Sequence, residues 1–237
     1  MRIELYGDGI GFVSLIDNMG DDLRACHSAR VSFLRDDVEK QGHTEKDIRL
    51  IQFLLREGHT SPFEHSVITF KMKVPLFIRA QIMRHRTFSY NEVSRRYTSE
   101  EIEFYVPTVL RQQSAKNLQC SEGELTEGMN ALCIDKIKAQ FDKSFGLYQG
   151  LLANGVAREQ ARIVLPQSMY TTFWMTGNLH NWIKFLRLRN SEHAQAEVRD
   201  LAIAIQEILW ALYPATLRAL EGDSVAEILA ELESDES

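Results

Sequence analysis

The stretch "SVITFKMKVPLFIRAQIMRHRTFSYNEVSRRY", Ser66 to Tyr97, carries three patterns in succession. It first alternates, with Ile68, Phe70 and Met72 on one face and Thr69, Lys71 and Lys73 on the other. That is the period of a strand with one face buried. Pro75 then suits the first position of a helix, because its missing N–H would be unpaired there anyway. The helix is expected to reach about Arg84, and Gln81 and Arg84, three apart, share one of its faces. The last fifteen residues, Met83 to Tyr97, hold four arginines, a histidine and a glutamate. A strand, a helix and a cationic loop in direct sequence predict an α+β fold in which the loop carries the chemistry.

Working outward, "RIEL" and "GFVSLID" read as short strands around a glycine turn. "GDGIG" lacks the spacing of a dinucleotide fingerprint and runs into a strand, so it is read as a hairpin turn. Helices are expected at 22–32 and 44–57, the second with Thr44 and Asp47 spaced as a capping box and Gly58 placed to end it. Residues 112–130 are polar and aperiodic, a surface insertion or lid. Helices follow at 131–153 and 157–165. "SMYTTFWMT" is a strand, and Asn178 caps a helix from Leu179 to Arg189. A long helix at 193–212 and an acidic one at 224–233 complete a single domain over 1–237, mostly helical with a small antiparallel sheet.

Composition narrows the function. The formal net charge is −6, against broad nucleic-acid binding, which needs a basic face. Cys26, Cys120 and Cys133 form no CxxC pair, which argues against a zinc site and a disulfide framework. No apolar run approaches the ~20 residues of a membrane span, and the first residues do not resemble a signal peptide. The expectation is a cytoplasmic protein without metal. His59, Glu64 and His65 in "GHTSPFEH" match neither zinc-helix spacing.

The loop itself is a set of ligands for anions. Arginine forks match phosphate oxygens in pairs, while Ser89, Asn91, Glu92 and Ser94 add hydroxyls, an amide and an acceptor. This inventory suits a nucleotide better than a plain phosphate. Two other readings stand beside it: a solvated basic face, and a nucleic-acid contact with Phe88, Tyr90 and Tyr97 as stacking groups.

"RHRTFSYNEVS", in which seven residues separate the RHR from Ser94, resembles the signature of the flavin-dependent thymidylate synthases. "ARVSF", "GHTSPFEH", "ARIVLP" and "FLRLRNSEHAQAEVR" resemble that family's other blocks, in its order and spacing. The likeness spans nearly the whole chain, apart from 112–130 and the acidic tail. It implies an α+β homotetramer with active sites at subunit interfaces. It also implies formation of dTMP from dUMP, with methylenetetrahydrofolate as carbon donor and NADPH as reductant through bound FAD. For FAD it implies Ser32, Ser61, Glu64, Arg84, His85, Arg86, Glu92, Asn178, His180, Lys184, Leu188 and His193. For dUMP it implies Gln81, Arg84, Glu92, Ser94, Arg95, Arg96 and Arg162, with Arg189 as the catalytic arginine at the uracil ring. No cysteine is expected to take part, and Cys26 reads as a small core residue.

Overall fold

The computed structural model describes residues 1–34, 43–118 and 121–235. Among them a five-stranded sheet runs in the order β1 (Arg2–Glu4), β2 (Phe12–Met19), β3 (Val67–Pro75), β7 (Tyr170–Asn178), β4 (Ser89–Glu92). Every neighbouring pair is antiparallel. β5 (Arg111–Gln113) and β6 (Ser121–Glu124) form a separate ribbon. The helices are α1 (Asp22–Arg30), α2 (Glu45–Arg56), α3 (Leu76–Ile82), α4 (Glu127–Ala153), α5 (Arg158–Ala161), α6 (Leu179–Arg189), α7 (Ala196–Leu212), α8 (Pro214–Glu221) and α9 (Val225–Asp235).

The alternation in β3 sets the layers. Ile68, Phe70, Met72 and Val74 are fully buried, and Phe173 and Met175 of β7 continue the same face. α6 and α7 pack on it, and their apolar residues Trp182, Phe185, Leu201, Ile205 and Ile208 join one core with the sheet. Lys71, Lys73 and Trp174 occupy the opposite face, which no helix covers to the same degree. The capping box forms as expected: Thr44 Oγ1 accepts from the Asp47 N–H, and Asp47 Oδ2 from the Thr44 N–H at 2.8 Å. Gly58 follows with φ +69°, the left-handed turn that glycine adopts without strain.

Four expectations are corrected. The segment read as loop after the RHR contains β4, an edge strand paired to β7 along one side only, so its polar sequence never had to alternate. The aperiodic 112–130 stretch holds most of the β5–β6 ribbon, and α4 begins within it at Glu127. The stretch at 157–165 is a single turn, α5, running into a 3₁₀ turn at Arg162–Val164. The helix expected at 193–212 starts only at Ala196, and another, α8, follows it at Pro214. α8 owes its start to a distant cap: buried Asp22 accepts from the Ala215 and Thr216 N–H groups at 2.8 and 2.9 Å.

Where β7 crosses β4, Gly177 makes room for Phe88. A Cβ at Gly177 would lie 2.3 Å from Phe88 Cδ1 and 2.4 Å from Cε1. The ring cannot step aside, because it stands edge-on to buried Trp182 at a centroid distance of 4.6 Å. Gly177→Ala should therefore destabilise the protein by about 1–3 kcal/mol, the usual range for overpacking. Thermal denaturation checks this. Adding Phe88→Leu should recover part of the loss, and strictly additive losses would show that the two residues do not clash.

Candidate active site

The cationic loop is held at several points. After α3 the chain keeps turning, with the Met83, Arg84 and His85 N–H groups donating to the carbonyls of Arg79, Gln81 and Ile82 at 3.0, 3.3 and 3.0 Å. Tyr90 Oη, from β4, donates to the His85 carbonyl at 2.8 Å and to that of Ile82 at 3.2 Å. Burial pushes the Tyr90 phenol up to about 12, so it stays a donor. Phe88, seated over Gly177, fixes the far side.

α6 faces this loop. Its N-terminus is capped by Asn178, whose Oδ1 accepts from the Asn181 N–H at 2.9 Å. Leu179, Trp182, Ile183, Phe185 and Leu186 turn into the core. The opposite side, Lys184, Arg187, Leu188 and Arg189, joins Arg84, His85, Arg86 and Thr87 around a cavity of about 500 Å³. Among the described residues five cations line it and no carboxylate does. Arranged around one space, they repel one another until an anion enters.

Arg189 is the fixed member of this set. Its Nη2 donates to the Gln81 carbonyl at 2.9 Å and its Nε to His85 Nε2 at 3.0 Å. Arginine only donates, so His85 must be neutral, with its proton on Nδ1. The surroundings agree: burial, then the nearby charges of Arg189 and Lys184, lower the His85 pKa from 6.5 to about 4. Its ring also packs on Phe185 at 4.8 Å. A buried imidazole thus aims a guanidinium.

A second cavity, of about 480 Å³, lies across β4 and is lined by Arg79, Glu92, Ser94, Arg95, Glu159, Arg162 and several apolar residues. Glu92 accepts from Thr171 Oγ1 at 2.8 Å and from Arg79 Nε at 3.0 Å. Arg95 is buried, its guanidinium bonded to the Glu100 and Glu101 carbonyls, the latter at 2.9 Å. That bond leaves it shaping the loop and lining the wall. Arg96 is exposed, with Glu159 3.9 Å away. Arg162 Nε donates to the Glu159 carbonyl at 3.3 Å.

The structure therefore brings Arg84, His85, Arg86, Lys184, Leu188 and Arg189 together. Glu92, Ser94, Arg95 and Arg162 gather separately. Ser32 lies in the 3₁₀ turn after α1, and Ser61 and Glu64 in the one before β3; all three are exposed and line neither cavity. His180 is half-buried on the first turn of α6, and His193 is exposed between α6 and α7. Sequence reading missed Arg79, which holds Glu92, and Gln195, whose Oε1 accepts from Gln81 Nε2 at 2.6 Å. Gln195 sits inside a block whose charged residues drew the attention. The partner of a neutral amide leaves no periodic mark.

Among known proteins, a family model described as "Thymidylate synthase complementing protein" matches residues 14–215. A flavin-dependent thymidylate synthase of Thermus thermophilus is 43% identical over 211 residues, covering 89% of this chain and 76% of its own. That of Thermotoga neapolitana is 42% identical over 226 residues, covering 92% and 96%. A solved structure of a UMP/dUMP methylase, PolB from Streptomyces cacaoi, bound with 5-Br dUMP, superposes with a TM-score of 0.81 at 33% identity, covering 94% of this chain and 99% of that one. With most of its length matched in both sequence and fold, the chain belongs to the flavin-dependent thymidylate synthase family.

Proposed function

We propose that the chain forms dTMP from dUMP, with methylenetetrahydrofolate as carbon donor, NADPH as reductant and FAD as the resident flavin. The observation that carries the reading is the 500 Å³ cavity that, among the described residues, gathers five cations, no carboxylate and an immobilised Arg189. Its donor set fits a dinucleotide: Arg84, Arg86 and Lys184 would hold the pyrophosphate, and Leu188 offers an apolar edge. When bound, FAD supplies the redox step that no side chain can perform. The homologues' names and the brominated pyrimidine nucleotides of the methylase structures support the same substrate class.

The chain's own residues do the rest. Carbon transfer to uracil builds negative charge on the ring carbonyls, and a guanidinium held in advance lowers its energy without reorganising. Gln81 and His85 do that holding. Arg162, Arg96 and the Ser94 turn would receive the nucleotide phosphate. We further propose a homotetramer with shared sites, because Ser61 and Glu64 stand apart from the arginine cavity within one chain and would meet it only across an interface. The nucleic-acid reading loses its stacking platform: Phe88 is buried and Tyr90 partly so, leaving Tyr97 as the exposed aromatic of the three.

The direct test is dTMP formation by the purified yellow protein supplied with dUMP, methylenetetrahydrofolate and NADPH. Arg189→Ala should lower turnover by about 10²–10³, the usual cost of losing one preorganised donor, while flavin stays bound. Arg86→Ala should instead reduce the flavin retained after gel filtration. Near-normal turnover in Arg189→Ala would return that residue to a helix-end cation.

His85 provides a pH test. Its folded pKa lies below the unfolded value, so between pH 6.5 and 4 the unfolded chain binds more protons and stability falls as pH drops. An NMR titration should place its midpoint near 4, and Arg189→Leu should move it upward. A wild-type midpoint at the ordinary histidine value would contradict the Arg189–His85 bond.

Thiol catalysis has no support here. Cys26 is fully buried and donates to the Asp47 carbonyl at 3.5 Å; burial, with Asp47 nearby, raises its pKa to about 12. Cys133 is half-buried on α4, and Cys120 lies outside the described residues. A Cys26→Ala, Cys120→Ser, Cys133→Ala variant that folds and holds flavin should form dTMP within several-fold of the parent rate. Complete loss of product in such a variant would require a thiolate mechanism.

A further inference from the structure

A third cavity, of about 370 Å³, opens where the β5–β6 ribbon meets the first turn of α7. Two arginines line it, and they differ in what they are free to do. Arg111 is largely spent. Its Nη2 donates to both oxygens of buried Glu197 at 2.8 and 3.0 Å, and its Nε to Ser121 Oγ at 2.9 Å. Arg199, half-buried in the first turn of α7, is not. Among the described residues no hydrogen bond or ion pair engages its guanidinium, although the adjoining Asp200 feels its charge. A guanidinium only donates, and withdrawing it from water without a partner is costly. Ser121, whose oxygen accepts from Arg111, keeps its own hydrogen to donate alongside. The rest of the lining limits what can carry the anion. Ala194 and Ala196 give the wall little side-chain bulk, which leaves space for a flat ring. Glu192, exposed at the edge, accepts only, so it suits an amino group on that ring.

We propose that this cavity holds the 2′-phosphoadenosine end of NADPH, with Arg199 pairing the phosphate oxygens and Ser121 donating beside it. Phosphate on an amino-bearing purine nucleoside is the chemistry that the lining selects, and a guanidinium fork matches two phosphate oxygens at once. In dinucleotide folds, too, an arginine accommodates the 2′-phosphate. NADH lacks that phosphate, so Arg199 is the residue that tells the two reductants apart. The placement fits. Gln195 lines this cavity and accepts from Gln81 Nε2 at 2.6 Å, while the Gln81 carbonyl holds Arg189. The cavity therefore adjoins the arginine site rather than standing remote from it. This inference rests on the reading of NADPH as reductant.

The test titrates adenosine 2′,5′-bisphosphate and AMP into the flavin-loaded full chain by calorimetry. Wild type should bind the bisphosphate at least tenfold more tightly than AMP, the scale of one charge-assisted phosphate contact. Arg199→Met should erase that preference and Arg199→Lys keep part of it. Ser121→Asp, a carboxylate at an exposed position facing the phosphate, should lower it as well. Anaerobic bleaching of the flavin by NADPH and by NADH, without dUMP or folate, should show the same loss of preference at unchanged flavin content. Proportional weakening of both nucleotides in Arg199→Met, or a preserved preference, overturns the proposal. Should Arg199→Met fail to fold, Ser121→Asp decides alone: retained preference sinks the idea. If Arg199→Met raises only the KM for methylenetetrahydrofolate, the anion is a folate carboxylate and the assignment falls. Wild type whose flavin neither nicotinamide reduces would refute the NADPH reading itself, a failure distinct from selective wild type with equally selective variants.

Discussion

The seat of Phe88 over Gly177 is the contact on which the site depends. One missing Cβ on β7 lets a ring from the cationic loop reach the core and stand against Trp182. On one side of that ring lie Arg84, His85 and Arg86, and on the other β4 begins. Both cavities therefore flank this anchor, which the Tyr90 bonds to the Ile82 and His85 carbonyls reinforce. The chain takes a cluster of mutually repelling side chains and pins its backbone with apolar packing, which salt and pH scarcely affect.

Around that anchor, charge is distributed unevenly. The chain is acidic as a whole, and several of its carboxylates are paired elsewhere: Glu92 with Arg79, Glu197 with Arg111, Asp47 with Arg30, Glu103 with Lys73. Among the described residues the arginine cavity receives none of them. Pairing the acids off at a distance keeps the cavity positive without making the protein basic. The guanidiniums on a helix and a turn offer the kind of fixed donors that a glycine-rich loop supplies in dinucleotide folds.

Much of this was legible in the sequence, and what was not has a common cause. β3 announced itself because one face is buried, so its residues had to alternate. The Thr44–Asp47 cap is a local rule and was visible as such, and Pro75 marked the start of α3 to within one residue, standing at its N-cap rather than its first helical position. β4 was hidden because "SYNE" sits at the sheet edge and borrows its order from β7. α8 was hidden because its cap, Asp22, lies 193 residues earlier. The arginines of the site could be read from their density. The groups that aim them could not: His85 and Arg189 are 104 residues apart, and nothing in either neighbourhood names the other. Local chemistry shows in a sequence; a bond between distant neutral and charged groups shows only once the chain has folded.

The immobilised Arg189 has one more consequence, and it concerns entropy. A free arginine side chain gives up roughly 1.5–2 kcal/mol of rotamer freedom when it is ordered. In this protein the Gln81 carbonyl and His85 have already restricted it before any ligand arrives, so folding, rather than binding, bears that loss. Ligand association then orders little on the protein side at this position. The same rigidity carries a constraint. A long, swivelling cation would follow a ligand that sits slightly out of place, whereas this one cannot, and a misplaced ligand simply goes without its charge.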